Sequence, residues 1–174
     1  YDASLWGLSA GPAQWTPTVA EFVAAPSGGW SVETGPAKVF VADRADAQPL
    51  VQYAVPFRGE PVNPSDPESL CSVESVTLSF APSRLVYVDG TGAKAVVAEP
   101  AAVSGTASGN RVVFSGAYPC GDLELVYEKG ALHQNVVVRD AAEFPDPASL
   151  GLDPETTRLV VETVVDNAGG EAVD

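Results

Sequence analysis

The chain has no methionine, one histidine, two cysteines and nine lysines and arginines. Each scarcity removes a class of function. Against those nine bases stand 23 acids, a net charge of -14, which repels nucleic acid and anionic lipid surfaces at long range. Nucleic acid is therefore not expected as a partner. With His133 alone titrating near neutrality, any Ser-His or Cys-His mechanism would have to use it. A strand over 132–139 places His133 on one face with Asn135 and Arg139, while Leu132, Val136 and Val138 face the other way. That is a polar outer face, and His133 reads as a surface residue.

Two cysteines and one histidine cannot complete a four-ligand zinc site, and Cys71 and Cys120 are too far apart for a C-x-x-C redox pair. A Cys71–Cys120 disulfide is the expectation, with two buried free thiols as the alternative. It would close a loop of about 50 residues, worth up to ~4 kcal/mol in the chain-entropy model, and would imply an oxidising compartment. No apolar run approaches the roughly 20 residues that span a bilayer, so membrane insertion is not expected. No basic-then-apolar leader opens the chain. Beginning at Tyr1 and lacking methionine, it reads as an excised piece of a longer precursor. Asn63-Pro64-Ser65 carries the proline that forbids N-glycosylation.

Hydrophobic residues make up 45% of the 174, with a mean hydropathy of +0.08, enough for a core without metals. Helix signals are scarce, and short runs rich in Val, Phe, Tyr and Leu recur between turn residues. Strands are expected over 37–42, 50–57, 75–80, 84–88, 93–99, 111–115, 122–128, 132–139 and 158–165. Val76, Leu78 and Phe80 alternate onto one face, as do Leu123, Leu125 and Tyr127 against Asp122, Glu124 and Glu128. Asp89-Gly90 is the clearest hairpin signal, its loop lengthened by Thr91-Gly92. Loops are expected over 62–70 and 144–155, the latter crossing between sheets. The fold class is all-β, an antiparallel β-sandwich of Ig-like or jelly-roll-like type with an irregular N-terminal segment.

That segment, residues 1–35, carries Trp6, Trp15 and Trp30 and is rich in Ala, Gly, Pro and Ser. Trp30 reads as a core residue, and Trp6 and Trp15 as the interaction candidates. Residues 18–25 could form a short helix or an edge strand. A β-sandwich domain is expected over 36–166, and 167–174 has the composition of a flexible tail or linker.

Gly7-Leu8-Ser9-Ala10-Gly11 spells the G-x-S-x-G pattern of esterase nucleophiles. The serine elbow needs a buried strand feeding a helix in a parallel α/β sheet. Only six residues precede the pattern and the chain reads as antiparallel β, so Ser9 reads as a chance match. Carboxylate pairs such as Glu124 with Glu128, or Asp146 with Asp153, are weak signals in so acidic a chain. The oxygen-rich loops 63–68 and 146–155 lack the EF-hand pattern, and aspartates beside prolines read as turn residues. No catalytic residue, metal ligand or cofactor is expected.

From Asp122 onward, the Tyr-containing strand, Asn135-Val136-Val137-Val138-Arg139, a proline loop, and Leu150-Gly151-Leu152-Asp153-Pro154 leading to Thr156-Thr157-Arg158-Leu159 resemble a segment of large β-rich secreted or cell-surface bacterial proteins, loosely Rhs-like. The resemblance spans residues 122–165 and implies an extracellular, scaffolding role. The reading is a non-catalytic extracellular structural or assembly domain: an adhesion, surface-layer or filament subunit, with residues 1–35 as an assembly or donor strand. Its partners would be further copies or neighbouring domains. The alternative is a carbohydrate-binding module whose partner is a glycan.

Overall fold

A computed structural model describes residues 20–32, 34, 37–58, 73–128 and 130–167. Thirteen strands are found among them: β1 (Val23–Ala24), β2 (Trp30–Val32), β3 (Lys38–Val41), β4 (Val51–Arg58), β5 (Val73–Phe80), β6 (Arg84–Val88) and β7 (Lys94–Ala98), then β8 (Thr106–Ser108), β9 (Arg111–Tyr118), β10 (Gly121–Glu128), β11 (Ala131–Val138), β12 (Arg158–Glu162) and β13 (Val165–Asn167). They form three antiparallel sheets, in the orders β1-β2-β3-β4-β5-β13, β11-β10-β9-β8 and β12-β6-β7. The fold is all-β and sandwich-like.

Period-2 alternation builds the core. On β10, Leu123, Leu125 and Tyr127 are buried, while Glu124 pairs with Arg111 at 2.8 Å on the outer face. Phe114 and Val112 of β9 point the same way and meet Val32, Val39 and Val41 of the six-stranded sheet in one cluster. Burying each such Val, Leu or Phe side chain contributes about 1.5–3 kcal/mol. Trp30 is half-buried, its ring 6.1 Å from Phe114 and nearly edge-on at 80°.

The alternation breaks at Gly116, which has φ +69°, and the β9–β10 register shifts near Gly121 and Leu123. The Gly116 N–H is satisfied by the Asp122 carboxylate at 2.7 Å, which Arg139 also meets at 2.9 Å. Beyond this irregularity Ala117 and Tyr118, adjacent in sequence, are both buried. This is why β9 runs past the expected end at residue 115. The Tyr118 hydroxyl donates to the Ser83 carbonyl at 2.8 Å, and the Tyr127 hydroxyl to the Ala37 carbonyl at 3.3 Å.

The strand expected over 158–165 is two strands. β12 joins β6 in the small sheet, and after Thr163–Val164 the chain enters the large sheet as β13 beside β5. The β5–β6 connection makes the same passage, and the two corners are tied by the Ala81 N–H to the Val164 carbonyl at 2.9 Å. The loop expected over 144–155 does link two sheets, β11's to β12's, and contains a short 3₁₀ turn at Pro147–Leu150. β8 and β2 were not expected; β8 is only three residues long, and β2 follows a Gly-Gly turn. Of the stretch 18–25, residues 18 and 19 lie outside the described residues and Val23–Ala24 form the two-residue edge strand β1, so the large sheet begins ahead of residue 36.

The expected Cys71–Cys120 disulfide is not seen. Cys120 is a free thiol, 2% exposed, in the turn between β9 and β10, where burial raises its pKa. Cys71 lies outside the described residues.

Candidate interaction surface

Trp6, Trp15 and Ser9, and the oxygen-rich loop 63–68, lie outside the described residues. His133 is exposed on the outer face of β11, opposite Val126 on β10. The acidic side chains singled out in the later loops serve as turn caps. Asp146 accepts from the Ala148 N–H at 3.0 Å; Asp153 accepts from the Glu155 N–H and the Thr156 hydroxyl, each at 3.1 Å. Among the described residues no group of three or more His, Cys, Asp and Glu is placed to hold a metal ion. No helix among them is long and apolar enough to cross a membrane.

The Asp89 hairpin is built by its own carboxylate. Asp89 accepts from the Thr91 hydroxyl at 2.7 Å and from the N–H groups of Thr91 at 2.8 Å and Ala93 at 3.0 Å. These bonds, the Thr91 hydroxyl's first, lower its pKa. Gly90 donates its N–H to Thr156 at 3.1 Å, docking the hairpin on the loop before β12. Glu162, at the end of β12, is held by Lys94 at 3.0 Å and Arg84 at 2.5 Å, and those two cations lower its pKa.

What remains without an internal explanation is apolar. Among the described residues, a groove of about 400 Å³ lies between β11 and the β5–β13 side of the large sheet. Its walls include Tyr53 and Val55 of β4, Leu78 and Phe80 of β5, Leu132 of β11 and Val165 of β13. The two sheets are bridged on either side. Tyr53 donates its hydroxyl to the Gly130 carbonyl, and Gln134 reaches Ser83, which also bonds Thr163. Partial burial in this wall raises the Tyr53 pKa.

Three strands stand at the ends of their sheets. β11 is the last strand of its sheet, β13 of the large sheet and β12 of the small one, so among the described residues no strand covers their outer sides. On β12, Leu159, Val160 and Val161 are 40%, 40% and 46% exposed, so neither face of this edge strand is polar between Arg158 and Glu162. Val164, Val165, Val137 and Val138 are exposed as well.

The Val76, Leu78, Phe80 alternation predicts one buried face for β5. Leu78 and Phe80 are half-buried and line the groove, Phe80 also packing against the core cluster, while Val76 is 36% exposed. The available signal was the single polar residue Gln134 on the inward face of β11, where a sealed core would have wanted another apolar side chain. No protein-family model, curated protein or solved structure matches this chain.

Proposed function

We propose that this chain is a non-catalytic structural domain of an extracellular assembly, joined to its neighbours through open strand edges. The observation that carries the reading is the apolar edge and groove on the β11–β13–β12 side. Monomeric β proteins blunt their edges with charge, proline, bulges or covering loops, because an uncovered edge templates pairing with another chain. β12 has three consecutive apolar residues on such an edge, and β11 is eight residues long. These features sit on a chain of net charge -14, whose repulsion opposes unspecific clumping and leaves association to matched surfaces.

Sedimentation velocity of the intact chain over a wide concentration range tests this. Association that grows with concentration and is weakened by Val160→Lys, a charge placed on the open edge, is the expected result. A single-chain mass at every concentration overturns the reading.

A further inference from the structure

We infer that β12 pairs antiparallel with β12 of a second copy, Val160 opposite Val160, joining the two small sheets into one continuous sheet. The inference rests on the assembly reading above and names the partner of one edge. β12 ends its sheet and reads Arg158-Leu159-Val160-Val161-Glu162, a base and an acid enclosing three apolar residues. Reversed against itself, this strand is its own complement. Successive side chains alternate faces, so Arg158, Val160 and Glu162 share one face and Leu159 and Val161 the other. About Val160, one face carries an ion pair, a valine pair and a second ion pair, and the other carries two leucine–valine pairs. Register follows from the same parity. An edge strand turns the backbone groups of every second residue outward, so antiparallel copies pair only where opposed residues are an even number apart. Centring on Leu159 sets Arg158 against Val160, and centring on Val161 sets Glu162 against Val160. Centring on Val160 matches both charges.

The pattern also selects a second copy over another part of the same chain. Matching both charges of β12 takes base, three apolar residues and acid for an antiparallel partner, or acid, three apolar residues and base for a parallel one. Across all 174 residues the first run occurs once, at Arg158–Glu162 itself, and the second nowhere. Arg139 and Glu143 have the spacing, but Asp140 follows Arg139 and Ala141–Glu143 form a 3₁₀ turn. The structure leaves the charges suited to the contact. Arg158 is exposed and makes no ion pair among the described residues. Glu162 is held from its own side by Lys94 and Arg84 and lines a recess with Asp46 and Glu99, so the guanidinium of the second copy approaches three carboxylates. A ladder of 5 residues covers less surface than the roughly 1,200 Å² of a stable complex, so the pair forms at high protein concentration. A contact of like with like closes on itself, and growth past a dimer falls to the other edge, β11.

Cysteine trapping tests the pairing. In a Cys71→Ser chain the remaining thiol, Cys120, is buried, and this chain is the control. Val160→Cys in that background meets its own copy across the twofold axis, at a Cα separation of about 4.5–5.5 Å that a disulfide spans. Leu159→Cys faces Val161 and lies about 7–8 Å from its own copy, beyond easy bridging. Under mild oxidation at associating concentration, a covalent dimer forming about tenfold faster or more at 160 than at 159 is the expected result. Equal rates, or the reverse order, would overturn the pairing. No dimer at either position would overturn it too, and sedimentation of the control then separates the two readings: association that persists leaves the assembly reading standing, and its absence removes both. A second measurement leaves the apolar residues in place. Arg158→Glu, which sets acid against acid twice across the axis, is expected to weaken association about tenfold or more, and Arg158→Lys to leave it within about threefold. Equal effects of the two substitutions would overturn the inferred register.

Discussion

Replacing Tyr118 by phenylalanine has an effect whose sign depends on pH. The Tyr118 ring is 1% exposed, and its hydroxyl donates at 2.8 Å to the Ser83 carbonyl at the corner between β5 and β6. At neutral pH, Tyr118→Phe leaves that buried carbonyl without its donor, costing about 1–2 kcal/mol. Burial, with a smaller contribution from Cys120, pushes the Tyr118 pKa up to about 12, against about 10 in the unfolded chain. A raised phenol pKa means the folded state keeps a proton that the unfolded state releases. The stability associated with Tyr118 is therefore whole below about pH 10 and is lost as pH rises toward about 12, the two-unit gap corresponding to about 3 kcal/mol. Phenylalanine has nothing to release. The variant, less stable at neutral pH, should match the parent at about pH 11–12 and exceed it above, while Cys120 and Tyr53, present in both chains, largely cancel from the difference. Urea unfolding of both chains across this range, with tyrosinate absorbance followed in parallel, measures the crossing. A stability difference that stays constant with pH would refute the assignment of Tyr118 as a buried, neutral clamp.

Gly121→Ala should lower the urea midpoint sharply, because a Cβ there would lie 2.0 Å from the Val137 carbonyl oxygen; backbone on the facing strand cannot step aside, and the expected loss is about 1–3 kcal/mol or more. Glu162→Gln should flatten the acid side of the stability profile. The lowered Glu162 pKa gives stability that is present above the ordinary carboxylate range and lost as pH falls through the folded value, and thermal melts between about pH 3 and 6 would show it. In a Cys71→Ser chain, Cys120 should resist alkylation in the native protein and react only on unfolding, since it is 2% exposed and burial raises its thiol pKa. Intact mass after timed labelling reads this directly.

The parts of the fold legible in the sequence are those governed by local alternation. β10 announced its two faces through Leu123, Leu125 and Tyr127 against Asp122, Glu124 and Glu128, and the structure buries the first three and pairs Glu124 and Asp122 with arginines. The Asp89 hairpin was equally readable, because a carboxylate and a following glycine carry the turn chemistry in four residues. What escaped depends on contacts distant in sequence. Nothing in Arg158–Val165 marks Thr163–Val164 as a corner; the break is set by the neighbouring passage at Ala81–Ser83. The extension of β9 to Tyr118 depends on Asp122 filling the irregularity at Gly116, a partner on another strand. The groove was not legible in the sequence. An apolar alternation looks the same whether it faces a sealed core or an open groove, and only the spacing of two sheets separates the cases.

Hydrogen exchange tests the central claim most directly, because it reads the open edges themselves. The outward-facing amides of β11 and β12 in the intact chain would be followed at a dilution where it is monomeric and at a concentration where it associates. The account predicts that protection at 131–138 and 159–161 rises with association while amides of the buried β9–β10 ladder stay unchanged. Association that leaves both edges exchanging at the monomer rate would place the interface elsewhere and contradict the account.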